Sequence, residues 1–113
     1  MANIYKNELI DLTTTDNTVI YTTPADSRAI IKSILVSEDA GSGTTITVTL
    51  VAASSNIFSL FKTKTISGNA TTELLTQPLV MEEKEILKVQ AADANELHVI
   101  ASILQIQPRE VTT

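Results

Sequence analysis

At 113 residues the chain is sized for one domain that buries roughly two-thirds of the surface its unfolded form exposes. It contains no cysteine, which excludes disulfide staples, zinc-thiolate sites and thiol catalysis together. A formal net charge of −5 and a pI of about 4.7 set up a field that repels phosphate backbones, so nucleic acid is not an expected partner.

In chain order, the opening residues carry Lys6, Glu8 and Asp11 without an apolar run and do not read as a signal peptide. No apolar stretch reaches the length of a membrane span, so the expectation is a chain made in the cytoplasm that avoids membranes. Residues 1–6 are expected to form a short arm. Eight strands are then predicted, at 4–12, 18–22, 28–37, 44–52, 57–65, 71–76, 85–91 and 96–106. The clearest is 44–52, where Ile46, Val48, Leu50 and Ala52 alternate with Thr45, Thr47, Thr49 and Val51 at the period of a half-buried strand. Between the strands stand Asp16-Asn17, Pro24-Ala25-Asp26, Asp39-Ala40-Gly41-Ser42-Gly43, Ser67-Gly68-Asn69 and Asp93-Ala94-Asn95, residue types that turn the chain or bond to their own backbone. Asn69-Ala70-Thr71 matches a glycosylation acceptor, but without a secretory signal it reads as a turn entering a strand. Only 81–88 could be helical, and Ile86, Leu87 and Val89 suit a strand better. Residues 108–113 lack apolar periodicity and are expected to form a loose tail. The fold class is therefore all-β, an antiparallel β-sandwich of jelly-roll-like type with about eight strands.

Several strands are apolar on both sides. In 28–37, Ala29, Ile31 and Leu35 alternate with Ile30, Ile34 and Val36; in 96–106, Leu97, Val99, Ala101 and Ile103 oppose Ile100, Leu104 and Ile106. In 57–61, Ile57 and Phe61 oppose Phe58 and Leu60. One face of a sandwich buries only one set. Either bulges change the register within these strands, or other subunits cover the second faces, because monomers rarely leave large apolar patches in water. Oligomerisation is the expectation when all three strands are taken together.

Chemistry-bearing residues are sparse. The single histidine, His98, lies in a strand opposite the Leu97/Val99 face and reads as a surface or interface side chain. No serine sits in a Gly-flanked elbow, so the nucleophile, base and orienting group of acid–base or covalent catalysis are not assembled, and no enzyme activity is expected. Calcium would have to use Asp93, Asn95 and Glu96, or Glu38 and Asp39, or Glu82, Glu83 and Glu85, none with the spacing of a calcium loop. Neither metal nor cofactor is expected. Exposed aromatic platforms for glycans or single strands are limited to Tyr5, Tyr21, Phe58 and Phe61.

The segment TTPADSRAIIKSILVS, residues 22–37, resembles a pattern of small tailed-bacteriophage virion proteins: a strand ending in Thr, a Pro-Ala turn, a small polar residue, then an apolar strand. The Asp/Gly/Ser turn and Thr/Val strand that follow, and LLTQPLVMEEKEILKVQAADANELHVIASILQI at 74–106, are similar to the remainder of that pattern. One departure is Glu82-Glu83-Lys84-Glu85, where the family tends to place a Gly-containing turn. The resemblance implies a jelly-roll-like sandwich, often a homotrimer, attached to a phage particle, with no catalytic residues to carry over. The expected role is a capsid decoration or cement protein on the outer surface of the head, bound to the major capsid protein or another virion protein. A tail, neck or head-fibre component and a small carbohydrate-binding module are the alternatives. Candidate interaction residues are Asn3, Ile4 and Tyr5, in a first strand weakly anchored by pattern, and Ile57 and Phe61.

Overall fold

A computed structural model describes residues 3–107. Turn residues and β-branched runs divide them into nine strands: β1 (Asn3–Leu12), β2 (Thr18–Thr22), β3 (Arg28–Glu38), β4 (Thr44–Val51), β5 (Ile57–Ile66), β6 (Thr71–Glu73), β7 (Leu79–Met81), β8 (Ile86–Ala91) and β9 (Leu97–Ile106). They pair antiparallel into two sheets. The first runs β1-β9-β3, with β6 and β7 sharing the outer edge of β3; the second runs β2-β8-β4-β5. The chain passes repeatedly from one sheet to the other, and with β6 and β7 counted as one interrupted strand the order is that of an eight-stranded jelly roll. Residues 81–88, the one stretch with a helical alternative, form the end of β7, a turn and the start of β8.

The core fills the space between the sheets. Ala29, Ile31, Ile34 and Val36 of β3 and Leu97, Val99, Ala101 and Ile103 of β9 meet Ile46 and Val48 of β4 and Leu87, Val89 and Ala91 of β8. Each fully buried Val, Leu or Ile contributes roughly 1.5–3 kcal/mol by leaving water. One buried polar pair crosses the core: the Tyr21 hydroxyl donates to Oε1 of Gln105 at 2.6 Å.

Bulges decide which apolar residues face inward. In β3, Ile31 pairs with Ile103 but Ser33 pairs with Ser102, so Lys32 is an extra residue that reverses the strand's parity. Ala29 and Ile31 before it and Ile34 and Val36 after it are thus all buried, and the outward set is Ile30, the exposed bulge residue Lys32, Ser33 and Leu35. The simple alternation expected for this strand is corrected accordingly. β5 carries two register shifts against β4, around Thr63 and at Leu60, which overturn the expected opposition of Ile57 and Phe61 to Phe58 and Leu60. Strand β9 has no such shift against β1 and alternates strictly.

Residues 3–6, expected in a free arm, are the first part of β1 and pair with 103–106 of β9. The expected tail at 108–113 lies outside the described residues.

One end of the sandwich is tied by a buried carboxylate. Glu38, 1% exposed, accepts hydrogen bonds from the backbone N–H groups of Gly41 and Gly43, both at 2.8 Å, and of Asn69 at 3.2 Å. Gly41 and Gly43 adopt φ of +89° and +76°, a conformation that aims both amides at the carboxylate. The loop carrying Asn69 packs so closely that a Cβ on Gly68 would lie 2.4 Å from the Gly41 carbonyl oxygen. Glu38 therefore joins the β3–β4 and β5–β6 loops.

Candidate interaction surface

Cross-strand register arranges the outward side chains of the first sheet in rows. Tyr5 of β1, Leu104 of β9, Ile30 of β3 and Val80 of β7 form one apolar row. Leu9, Ile100 and Leu35 form a second, which ends in Glu73 of β6. Asn7, Ser102 and Ser33, with the exposed Lys32 of the β3 bulge, lie between them, and the Ser102 hydroxyl donates to Oδ1 of Asn7 at 2.9 Å. Tyr5, Leu9 and Val80 are 72%, 69% and 57% exposed, so this sheet presents apolar side chains to solvent across its width. Beyond the second row stand Asp11, His98 and Ser37. His98 lies between two carboxylates, Nε2 3.2 Å from Asp11 and Nδ1 3.5 Å from Asp39.

The outer face of the second sheet has the opposite character. Thr45, Thr47 and Thr49 of β4 point outward beside Gln90 and Lys88 of β8. Thr45, Thr47 and Gln90, with Thr15, Thr63, Ala91 and Ala92, border a shallow hollow of about 290 Å³. Apolar exposure on this sheet lies at its two edges: at the corner where Ile57 and Phe58 open β5 next to Val51 and Leu50, and at Val19 of β2, opposite Lys88.

The five sequence-derived candidates do not converge. Asn3 and Tyr5 lie on the outer face of the first sheet, while Ile4, opposite Gln105, has the inward parity and is exposed only because β1 is the edge strand. Ile57 is exposed at the corner of the second sheet, and Phe61 is half-buried against the core opposite Val48. β1 and β5 are terminal strands of different sheets, β1 running beside β2 and β5 beside β3, which puts them on opposite flanks of the sandwich. Residues missed as candidates are Leu9, Val80, Ile100, Leu104 and Phe58. The outward apolar set of β9 was visible as a second face, whereas the rows that join it to β1 and β7 require the register.

The acidic loop residues are used to hold loops. Burial pushes Glu38 up, but hydrogen bonds from Gly41, Asn69, Glu96 and Gly43 outweigh it and hold the carboxyl at about 2. For Glu96 the hydroxyl of Ser42, donating at 2.7 Å, pulls down; the hydrogen bond shared with Glu38, burial, and the charges of Asp93 and Glu38 prevail, and the carboxyl is raised. Asp93 accepts from the Thr44 hydroxyl at 2.6 Å. Among the described residues no group of three or more His, Cys, Asp or Glu side chains is arranged to hold a metal ion. No described helix is long and apolar enough to cross a membrane.

No protein-family model matches the chain, and no curated protein does. Among solved structures it is similar to a xylan-binding domain of carbohydrate-binding module family 22, at 18% identity over 79% of this chain and 60% of that one, with a TM-score of 0.41. The C-terminal family 22 module of Clostridium thermocellum Xyn10B matches at 14% identity over 96% of this chain and 84% of that one, TM-score 0.44. The infectious bursal disease virus Gt strain structure matches at 8% identity over 94% of this chain and 30% of that one, TM-score 0.47. The chain thus spans 60% of the first and 30% of the last of these. At such identities the likeness is one of fold.

Proposed function

We propose that this chain is a structural protein of a tailed-bacteriophage particle, a decoration or cement subunit that works as a homo-oligomer on the outer surface of the head. The observation that supports this reading is the presence of two separate exposed apolar areas in a chain that assembles no catalytic constellation among its described residues. A decoration subunit needs two contacts, one with its own copies and one with the shell. The broad face of the first sheet suits the former. The Ile57–Phe58 corner suits the latter, because an anchor in a shell pocket needs only a few large apolar side chains. The resemblance of 22–37 and 74–106 to tailed-bacteriophage virion proteins supports the choice of particle, and the acidic net charge fits a position away from packaged DNA.

Two measurements test the reading. Quantitative mass spectrometry of purified particles should find the chain in simple ratio to the major capsid protein; a few copies per particle would move it to the neck, tail or fibre, and its absence would retire the proposal. Shells stripped of the protein should recapture the wild-type chain, while Ile57→Asp/Phe58→Asp, altered at exposed positions and therefore folded, should bind at least about tenfold more weakly.

A second reading, a module for a neutral glycan, has one observation in its favour: the hydroxyl- and amide-lined hollow on the second sheet. That hollow has no aromatic ring on which a sugar could stack. Chemical-shift changes confined to Thr45, Thr47 and Gln90 on adding xylo- or cello-oligosaccharides would favour it over the virion reading.

A further inference from the structure

We propose that the hollow on the outer face of the first sheet, bordered by Tyr5, Asn7, Lys32 and Ser102, binds a carboxylate-bearing pyranose, a hexuronic acid either free or as a unit of a glycan chain. The inference goes beyond the virion reading and stands whether or not that reading does. The hollow leaves Leu9, Ile100 and Leu35 to the contact between copies that the virion reading places on this face.

Its shape comes from side-chain size across three strands. Ser102 of β9, the middle strand, is short, while Tyr5 of β1 and Lys32 of β3 are long and stand on either side. With Lys6, Asn7 and Ile103 they line a space of about 300 Å³. Neighbouring strands lie about 4.8 Å apart, which puts β1 and β3 roughly 10 Å from each other. One six-membered ring fills that span with contacts at both ends. Lys32 faces the hollow because it is the extra residue of the β3 bulge, between Ile31 and Ser33, and a bulge re-aims the side chain it carries.

Each part of the lining offers a different contact. Tyr5, 72% exposed, brings an aromatic ring whose negative face attracts the polarised C–H groups of a sugar. On the floor, the Ser102 hydroxyl donates to Oδ1 of Asn7. That bond orients the amide and leaves its Nδ2 hydrogens and the serine lone pairs for sugar hydroxyls.

Charge selects the class of sugar. Lys6 is committed, with Nζ 2.9 Å from Glu8 and 5.6 Å from the centroid of the Tyr21 ring. Lys32 enters no ion pair among the described residues. The nearby carboxylates have partners of their own: Glu8 holds Lys6, and Glu73 accepts from the Ser33 hydroxyl and the N–H groups of Ile34 and Leu75. An uncommitted ammonium beside a hollow favours an anion, and a carboxylate forms the stronger, charge-assisted kind of hydrogen bond with it. A neutral sugar leaves Lys32 without a partner, and a bare anion leaves Tyr5 without one. A uronic acid engages the ring, the amide and hydroxyl, and the ammonium together.

The test uses the full chain and amide chemical shifts, with galacturonate, tri-galacturonate, galactose and acetate as probes. Galacturonate should shift Tyr5, Asn7, Lys32 and Ser102 with a dissociation constant on the order of a millimolar, and galactose should bind at least about tenfold more weakly. Tighter binding of the trimer assigns the unit to a chain; equal binding assigns the site to the free acid. Lys32→Gln, at an exposed position, should bring galacturonate down to the level of galactose, and Tyr5→Ala should weaken both. Lys88→Gln, on the opposite sheet, should change neither. Equal binding of galactose and galacturonate by the wild-type chain overturns the proposal without recourse to any variant. So does acetate binding as tightly as galacturonate, which would make the hollow an anion site only. Shifts confined to Thr45, Thr47 and Gln90, or no shifts at tens of millimolar sugar, also overturn it.

Discussion

Two residues carry conformational or polar costs that their neighbours offset. Thr63 has φ of +49°, a left-handed conformation that a β-branched side chain tolerates poorly, and it is held there by the β5 bulge and by its N–H donating to the Thr47 hydroxyl at 3.1 Å. Asn accepts that conformation more readily, so Thr63→Asn should stabilise the fold by about 0.5–1 kcal/mol in urea titration with an unchanged m-value. A loss of stability would mean that the bulge imposes no strain. Tyr21 presents the reverse case. Burial, then the nearby charge of Glu8, raises its phenol, which therefore stays protonated and donates to the buried Gln105. Tyr21→Phe leaves that amide oxygen without its partner in the core and should cost about 1–2 kcal/mol. The same titration checks it, and a neutral result would show that the amide finds another donor.

At the scale of elements, the outer edge of β3 shows how a polar side chain replaces missing ladder bonds. Between β6 and β7 the partner strand leaves the sheet. The Glu73 carboxylate turns into the gap, where it accepts from the N–H of Ile34 at 2.8 Å, from the N–H of Leu75 at 3.1 Å and from the Ser33 hydroxyl. Burial opposes the ionised form, but those three donors outweigh it and the carboxyl is lowered. Glu73→Ala removes an acceptor from a part-buried N–H; because Glu73 itself is largely solvent-exposed, the cost should be near 1 kcal/mol, with faster amide exchange at Ile34 as the specific readout. Unchanged exchange there would sink this account. β7 is also the strand that sequence reading misses. Three residues, Leu79, Val80 and Met81, lie between Pro78 and Glu82-Glu83, too few to show a period. The other eight strands are readable to within a residue or three, because each has a run of β-branched residues bounded by turn chemistry. What resists reading is which way side chains point. A single extra residue at Lys32 exchanges the two faces of β3, and no property of lysine in a strand announces a bulge.

For the whole molecule the candidate surface is readable only in part for the same reason. Ile100, Leu104 and Ile106 are visible from the alternation of β9, but their joining with Tyr5, Leu9 and Val80 into rows depends on pairing between residues distant in the chain. Phe61 was misplaced because the Leu60 bulge turns it inward. The acidic end of the sandwich has consequences of its own for pH. Glu38 ionises at about 2 against an ordinary 4.5, so its contribution is complete above the unfolded-state value and is lost as pH falls from about 4.5 toward 2. Glu96 is shifted upward, so the stability linked to its protonated form is present below the ordinary carboxyl range and is lost as pH rises through its folded value. At neutral pH the pair is therefore one well-solvated-by-backbone carboxylate beside one unwelcome charge. Glu96→Gln keeps the shape, keeps an acceptor for the Ser42 hydroxyl and removes the charge, so it should raise Tm at pH 7 to 8. That gain should shrink as the pH is lowered into the range where the native Glu96 protonates by itself. Glu38→Gln should do the opposite at neutral pH, lowering Tm, because the Gly41, Gly43 and Asn69 amides then lose the charged acceptor they converge on. Thermal melts of the two variants from pH 3 to pH 8 separate the roles: a Glu96→Gln gain independent of pH would place the repulsion elsewhere than in this carboxyl pair.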